Sequence, residues 1–442
     1  MSKGRKKYAG LMDRLKGDKV VWIVALMLIL ISIVCIFSSS SRLLKGDQTR
    51  LDIVWSQVKT VLAGLLIIFV CYEIRSEAVF KFVARLGFIF SFLLIMFMIF
   101  GPTSGPVRSI TLNGARRAVS VLGKQIFVYE IVKVAMVMYL SWAVDAFKKK
   151  KFERFVPGRE VLQKFIFIYL PFLVITVLMV DGSGSAALFV GGIMILTILI
   201  GLSDIRDVAV MVLLGIMGFG LSYGVFEISD HKLFSRYETI FSRANSSLEE
   251  SIKEYHLAGT KKEKDKIIDR IRQPYSALMA IKEGGVIGKG PGQSTQRYVV
   301  PDMSEDYMYS FIVEEYGFFG GLFVIALYLS LLARGTLIVK NCNDLFQKTA
   351  VAGLTLLIVL QAFLHICVNL NVGPVTGQTL PLISHGKSAF LCFCFAFGIL
   401  LSFSRSAQEK IEREEKAAAS LVDQDGEDNI SSSINELDSY DL

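Results

Sequence analysis

Charge is scarce in this sequence for its length. Of the 442 residues only 20% are charged, whereas 53% are hydrophobic, and the mean hydropathy is +0.51. A soluble chain of this size would need more charge to cover its surface, which argues against an array of soluble domains. Apolar runs of about 20 residues recur instead, and each is long enough to cross a hydrocarbon core as a helix. The sequence therefore predicts an all-α polytopic membrane protein.

Cysteine is missing where a disulfide framework would need it. The chain has six cysteines, and the long polar loop 227–305 contains none of them. Five fall in apolar runs and the sixth in a short loop: Cys35, Cys71, Cys367, Cys392, Cys394 and Cys342. This distribution excludes a disulfide framework in the long loop. Cys392 and Cys394 are spaced C-x-C in a span without nearby ligand partners, and we expect them to be small buried hydrophobic residues.

About ten membrane spans are predicted, with one large extracytoplasmic loop (227–305) between spans seven and eight. The first apolar run is too long for a signal-peptide core and lacks a clear small-residue cleavage site, so we expect a retained helix. The gap 181–183 predicts a tight hairpin between spans five and six. The predicted spans are about 20–40, 54–73, 82–100, 126–147, 161–180, 184–202, 207–226, 307–333, 349–369 and 388–404.

Lysine and arginine set the expected orientation. The basic start "MSKGRKKYAGLMDRLKGDK" (1–19) and "KKKKFERFVPGR" after span four fall on one side if the spans alternate, and that side is predicted to be cytoplasmic. An even number of spans between 20 and 405 then places both termini there. The acidic, serine-rich end (406–442) is expected to be a disordered cytoplasmic tail. The net charge of +8 indicates topology and anionic-lipid contact, and we expect no nucleic-acid partner.

The long loop has two parts with different patterns. Apolar residues recur at helical spacing from Leu248 to Ile281, with Gly259 and Pro274 as interruptions. The glycine-rich "EGGVIGKGPGQSTQRYVVP" follows and predicts a tight, shaped loop. It is not a nucleotide P-loop, because Lys289 is followed by Gly290 where that motif needs Ser or Thr.

Several charged residues lie in or beside predicted spans. A charge inside a span costs about 2.5–3.5 kcal/mol on insertion scales, so such residues are candidates for function. Glu130 and Lys133 are three residues apart and share a helix face, although a neutral packing pair is the alternative. Asp181 lies at an outer edge, where contact with lipid headgroups would also explain it. Arg116 and Arg117 suit pyrophosphate recognition, with headgroup contact as the alternative.

Acidic residues cluster where the long loop enters span eight, in "VVPDMSEDYMYSFIVEEYGFFGG". A helix start favours acids, which accounts for Glu305 and Asp306. It accounts poorly for Glu314 and Glu315, which lie two turns further on. Partial desolvation and like charge raise the pKa of a carboxyl and improve a general base. We therefore expect these acids to serve a reaction at the outer membrane face.

The last outer loop reads "NLNVGPVTGQTLPLISHGKSAF" and breaks the helical pattern between spans nine and ten. Irregular backbone at membrane depth is tolerated only where it is buried in protein or lines a cavity. We expect His385 and Lys387 to face such a cavity. A structural role is the alternative for His385.

Five stretches, in this order among ten spans, resemble the bacterial SEDS family (shape, elongation, division, sporulation). They are "GARRAVSV", "YEIVK", "GGVIGKGPGQSTQRYVVP", "SEDYMYSFIVEEYGFFGG" and "TGQTLPLISHGKSAF". The form "GKGPGQSTQR" resembles the division branch, FtsW, more than the elongation branch, RodA. The resemblance implies a peptidoglycan glycosyltransferase that polymerises lipid II at the outer face of the bacterial cytoplasmic membrane, at the division septum.

The resemblance also implies roles for single residues. The family's essential aspartate falls on Asp306, which we expect to be the general base. Arg116, Arg117 and Lys133 would neutralise the leaving pyrophosphate, alone or with a Mg²⁺ or Mn²⁺ ion, and no organic cofactor is expected. The expected substrate-binding set is Arg116, Arg117, Glu130, Lys133, Asp181, Glu314, Glu315, Ser384 and Lys387. The chain departs from the family at Glu305, where Thr or Ser is usual, and at "SHGKS", where "SYGGS" is common.

Partners and alternatives follow from the same resemblance. The implied partners are lipid II, a class B penicillin-binding transpeptidase and other membrane proteins of the divisome. The alternatives are a lipid II flippase and the same polymerase acting in elongation. A flippase needs a path through the bilayer and alternating access, whereas motifs clustered in outer loops favour the enzyme. A pure scaffold would not need charges inside the membrane.

Overall fold

A computed structural model of the protein describes residues 16–39, 50–112, 115–228, 248–300, 303–373 and 375–438. It confirms an all-α architecture. The helices are α1 Lys19–Ser39, α2 Arg50–Glu73, α3 Glu77–Phe100, α4 Val128–Lys148, α5 Glu160–Val180, α6 Gly184–Leu202, α7 Ile205–Ile228, α8 Leu248–Leu257, α9 Lys261–Gly284, α10 Met308–Asn341, α11 Leu345–Asn369 and α12 Lys387–Asp438.

The expected membrane spans correspond to ten of these helices. Within the described ranges, nine helices are long and apolar enough to cross a bilayer. The remaining expected span, the fourth, is α4, which has a similar length of 21 residues but carries four charged side chains: Glu130, Lys133, Asp145 and Lys148. The predicted hairpin between spans five and six is also present, since α5 ends at Val180 and α6 begins at Gly184.

The interior is organised around α4 and α11. One apolar cluster joins α1, α2, α10, α11 and α12, and a second joins α3, α4, α5, α6 and α7. Residues of α4 also belong to both clusters, and Lys133 of α4 is buried between them. Outward-facing apolar residues such as Leu66 (62% exposed) and Leu213 (58% exposed) suit contact with lipid chains.

Two parts of the fold differ from the sequence expectation. The helix α12 continues to Asp438, through the tail for which composition indicates disorder. That composition lacks the apolar residues of a packed core, but a single helix needs none. Likewise Pro274 lies inside α9 and does not end it, whereas Gly259 does separate α8 from α9.

A small antiparallel sheet stands between α3 and α4, where no strand was predicted. Its strands are β1 Val107–Leu112, β2 Ala115–Val121 and β3 Lys124–Phe127, in the order β1-β2-β3. Leu122 and Gly123 both have positive φ (50° and 81°), which is the geometry of a type I′ hairpin turn. The sheet places Arg116 and Arg117 on its central strand β2, and its last strand β3 leads directly into α4.

The helix ends define two faces of the protein. We call residues 74–81, 148–160 and 341–345 the basic face, where Lys149 Nζ lies 2.6 Å from Asp344 Oδ2 and Lys81 Nζ lies 3.3 Å from Asp344 Oδ1. Burial alone would raise the pKa of Asp344, but hydrogen bonds from Lys149 and the Phe346 N–H outweigh it and lower the pKa to about 2. The opposite face, here the loop face, carries the sheet and the segments 181–183, 284–300, 303–307, 370–373 and 375–386.

Candidate active site

Asp306 lies on the loop face, in the turn that leads into α10. The residue is half-buried, and its carbonyl oxygen accepts a hydrogen bond from Asn369 Nδ2 at 3.2 Å. Its carboxylate faces the backbone of the segment 375–380, since a Cβ on Gly377 would lie 3.5 Å from Asp306 Oδ2. Gly377 has φ +63°, a conformation that few other residues adopt without strain. The segment can therefore approach Asp306 closely.

Residues of the last outer loop hold the Asp306 turn in place. The Ser384 hydroxyl donates to the Glu305 carbonyl oxygen at 2.7 Å and accepts from the Leu380 N–H at 2.9 Å. The His385 N–H donates to the Ser304 carbonyl oxygen at 2.8 Å. These contacts make Ser384 a positioning residue for the turn that carries Asp306, to which His385 adds only its backbone N–H. Burial, followed by the charge of Lys387, lowers the pKa of His385 to about 4, so the imidazole is neutral at neutral pH.

Lys133 is buried in the centre of the bundle with only 2% of its surface exposed. Its ammonium group donates to Glu130 Oε1 at 2.8 Å, to Gln361 Oε1 at 2.7 Å and to Gln378 Oε1 at 3.1 Å. Gln378 follows Gly377, the residue beside Asp306. The structure thus connects the Glu130–Lys133 pair of α4 to the segment that faces Asp306.

A polar stripe on α11, which the sequence analysis missed, completes this network. Gln361, His365 and Asn369 recur every four residues and so share one helix face. His365 Nδ1 lies 2.7 Å from the Gln378 carbonyl oxygen, and Asn369 Oδ1 accepts from both the N–H and the hydroxyl of Ser310. The signal was available in "LQAFLHICVN", where polar residues at this spacing interrupt an apolar run.

Arg116, Arg117 and Asp181 also lie on the loop face, at the sheet and the 181–183 hairpin. Arg117 Nε donates to the Gly182 carbonyl oxygen at 3.2 Å, beside Asp181, and the guanidinium of Arg116 donates to the Ile99 carbonyl oxygen. Ser185 Oγ donates to the Thr376 carbonyl oxygen at 3.2 Å, next to Gly377. The arginine strand, the 181–183 hairpin and the Asp306 site therefore form one chain of contacts.

Glu314 and Glu315 anchor the glycine loop, which we define as residues 284–298. Glu314 is fully buried and accepts from Lys289 Nζ at 2.8 Å, from Ser294 Oγ at 2.5 Å and from the Thr295 N–H at 2.8 Å. These contacts bind the loop to α10. Whether the two acids also bind substrate stays a prediction.

Glu315 makes a parallel set of contacts. It accepts from Ser38 Oγ at 2.6 Å and from the Gly292 N–H at 3.0 Å, so it joins α1 to the glycine loop. Close backbone approach requires glycine here, because a Cβ on Gly288 would overlap the Glu315 carbonyl oxygen. The predicted tight, shaped loop is therefore present.

An apolar cavity of about 510 Å³ lies beside the Glu130–Lys133 pair, between α2, α3, α4 and α12. Ile131 and Val134 line it from α4, and Leu391 and Cys392 line it from α12. Lys387 begins α12 and donates to Ser56 Oγ at 2.8 Å. The arrangement brings apolar space and polar groups together on two adjacent helices.

The expected divalent cation has no ready protein cage in the described ranges. No three His, Cys, Asp or Glu side chains there are close enough together to hold a metal. The described side chains alone therefore offer no three-ligand cage, and a divalent cation at the site stays a prediction.

Comparison with known proteins supplies the family. Residues 18–409 match the family model FTSW_RODA_SPOVE, described as "Cell cycle protein". The chain is similar to the "Probable peptidoglycan glycosyltransferase FtsW" of Caulobacter vibrioides (strain NA1000 / CB15N), with 30% identity over 66% of each protein. It is also similar to a protein of that name from Enterococcus hirae, with 28% identity over 91% of this chain and 96% of the relative.

A solved structure shares the fold. It is described as "Structural coordination of polymerization and crosslinking by a peptidoglycan synthase complex", and one of its chains aligns at a TM-score of 0.59 with 19% identity. The alignment covers 88% of this chain and 98% of that chain. Sequence and fold agree over nearly the whole membrane domain, and the protein belongs to the FtsW/RodA/SpoVE family, the SEDS proteins.

Proposed function

We propose that this protein is a peptidoglycan glycosyltransferase that polymerises lipid II at the outer face of the bacterial cytoplasmic membrane, in septal synthesis during division. The family and the names of its relatives support the reaction class. The observation that carries the assignment to a site is Asp306, half-buried on the loop face and held by Ser384, His385 and Asn369.

Asp306 is the general base of the proposed reaction. Its carboxylate takes the proton from the 4-hydroxyl of the acceptor GlcNAc, and the oxygen attacks the anomeric carbon of the donor with inversion. The bond from that carbon to the pyrophosphate oxygen breaks, and undecaprenyl pyrophosphate leaves with the electron pair. A held aspartate suits this step because a base must stay within hydrogen-bond reach of the hydroxyl.

The leaving pyrophosphate needs positive charge more than a proton. Arg116 and Arg117 lie on the same face, at the sheet, and their planar guanidinium groups suit phosphate oxygens. Lys133 carries a positive charge. It also donates a hydrogen bond to Gln378 and so positions the segment that faces Asp306. The apolar cavity beside α4 offers space for part of the polyprenyl chain.

The proposed partners and location complete this account. A class B penicillin-binding transpeptidase would crosslink the new strands, in keeping with the "polymerization and crosslinking" complex whose chain shares this fold. By the positive-inside rule, the basic face points to the cytoplasm, and both termini lie on that side of the membrane. Other divisome membrane proteins would bring the enzyme to the septum.

The test is glycan polymerisation by purified protein with its cognate transpeptidase and labelled lipid II. The variant Asp306→Asn is compared with Glu305→Gln, which removes the adjacent charge and serves as the matched control. We expect Asp306→Asn to lose about 10²–10⁴-fold in rate and Glu305→Gln to keep most of its activity. Normal polymerisation by Asp306→Asn would remove Asp306 from the chemistry, and no glycan from the wild type with its partner would favour the flippase.

A further inference from the structure

A second cavity, of about 850 Å³, lies on the basic face, away from the proposed active site. It is bounded by α3, by the end of α4, by the turn after α4 and by α5. Five basic side chains line it and no acidic one does: Lys81, Arg85, Lys150, Lys151 and Arg154. A cavity of one charge sign attracts ligands of the opposite sign.

Within the described ranges, three of the five basic residues form no ion pair with an acidic side chain. Lys81 is neutralised by Asp145 and Asp344, and Lys150 lies 3.8 Å from Glu153. Among the residues that the structure describes, no ion pair involves Arg85, Lys151 or Arg154. The cavity therefore keeps unneutralised positive charge, which an anion would balance.

Arg85 lies inside α3, which is one of the expected membrane spans. It follows the start of α3 at Glu77 by eight positions, which corresponds to about 12 Å along the helix. Its side chain is exposed and contacts the ring of Phe82 at 5.6 Å. A lone arginine within an expected membrane span is costly unless a phosphate group or water reaches it. A lipid phosphate at the cavity would meet that requirement.

Aromatic rings line part of the cavity. Phe152 stacks on Phe167 with centroids 4.0 Å apart and an interplanar angle of 5°, and Trp142 packs edge-on against Phe152 at 5.8 Å. Phe167 lies in a π-helical turn, Phe165–Tyr169, a distortion frequent at functional sites. Aromatic rings of this kind are enriched at the level of lipid headgroups.

The segment beside the cavity has the character of a membrane surface anchor. Phe155 is 70% exposed and Val161 is 81% exposed, and both follow a run of four lysines. Apolar side chains of this exposure next to basic ones suit insertion into the boundary between headgroups and acyl chains. The cavity thus lies at the level of the headgroups.

We propose that this cavity binds the headgroup of an anionic glycerophospholipid such as phosphatidylglycerol, held by Arg85, Lys151 and Arg154. Basic pockets between membrane helices on the cytoplasmic side take such headgroups, and guanidinium groups match phosphate oxygens. The acyl chains lie along the exposed apolar side of α3, at Phe82 and Leu86, which are 55% and 47% exposed. A free phosphate would gain nothing from this apolar surface, which favours a lipid.

Native mass spectrometry of the purified full chain tests the proposal. The protein is titrated with phosphatidylglycerol or with phosphatidylcholine of the same acyl chains. We expect phosphatidylglycerol to be retained more tightly, and the double variant Arg85→Gln with Arg154→Gln to weaken its binding about tenfold or more. Arg206→Gln, an exposed arginine at the start of α7 outside the cavity, is the matched control and should change little.

Three results would overturn the proposal. Equal retention of the two lipids would remove the role of charge, and equal losses in the double variant and the control would remove the role of this cavity. Displacement of phosphatidylglycerol by inorganic pyrophosphate at a similar concentration would indicate a site for soluble phosphate. The single variant Arg154→Gln, at an exposed turn, keeps the test available if the double variant does not fold.

Discussion

The attachment of the glycine loop to α10 gives a prediction whose size follows from burial. Lys289 binds two carboxylates, Glu314, which is fully buried, and Glu283, which is 32% exposed. The hydrogen bond from Lys289 lowers the pKa of Glu283, whereas burial of Lys289 is outweighed by its hydrogen bonds to Glu283 and Glu314, which raise its pKa. The same lysine therefore allows a buried and an exposed ion pair to be compared directly.

Removing the buried charge should open the loop far more than removing the exposed one. A hydrogen bond to a charged group contributes about 1.5–3 kcal/mol, and glutamine retains an acceptor, so Glu314→Gln should cost about 2–3 kcal/mol. That cost raises the open population of the loop about 30- to 150-fold. Glu283→Gln should cost about 0–1 kcal/mol, because an exposed pair is screened by water.

Limited trypsin digestion in detergent measures this difference, since the loop contains Lys289 and Arg297 as cleavage sites. Cleavage follows the open population when opening and closing are fast relative to proteolysis. We expect rapid cleavage of Glu314→Gln and near wild-type cleavage of Glu283→Gln. Equal cleavage rates for the two variants would refute the idea that the buried carboxylate holds the loop.

Three further predictions concern the site. The pKa of His385 is about 4 in the folded protein, so below pH 6.5 the imidazole gains a proton on unfolding. The free energy of unfolding should therefore fall as pH drops from 6.5 toward 4, by about 2 kcal/mol at pH 5. His385→Gln should flatten this part of a melting-temperature profile, and an unchanged profile would contradict the prediction. Ser384→Ala should lower kcat about fivefold with a nearly unchanged melting temperature, because loss of the Glu305 contact costs about 1 kcal/mol; a lowered melting temperature with full activity would show a role in stability alone. Lys133→Met should cost about 3–5 kcal/mol by leaving Glu130, whose side chain is only 13% exposed, without its cation, and adding Glu130→Gln should recover most of it; no recovery in thermal unfolding would count against the pair.

The sequence predicts those parts of the fold that depend on one local property of the chain. Apolar runs set the spans, and the three-residue gap 181–183 set the hairpin, because both depend on helix length alone. The Glu130–Lys133 contact also follows from helical spacing. The sheet at 107–127 was not predicted, since its short strands carry charged residues and depend on packing against α3 and α4.

The site was accessible only in part. Helical spacing gives no distance between Lys133 and Gln378, which are 245 positions apart, so their contact depends on the packing of α4, α11 and the last outer loop. The sequence indicates Glu314 and Glu315 as candidate reactive groups. In the structure both carboxylates accept hydrogen bonds from donors of the glycine loop. The polar stripe of α11 could have been found from its four-residue spacing.

The central claim is that Asp306 performs the chemistry, and a separation of binding from turnover tests it most directly. Lipid II binding and single-turnover polymerisation are measured for the wild type and for Asp306→Asn, each with the partner transpeptidase. We predict binding within a few-fold of the wild type and a rate lower by about 10²–10⁴-fold. A variant that loses binding and rate in equal proportion, or that keeps the wild-type rate, would contradict the assignment of Asp306 as the general base.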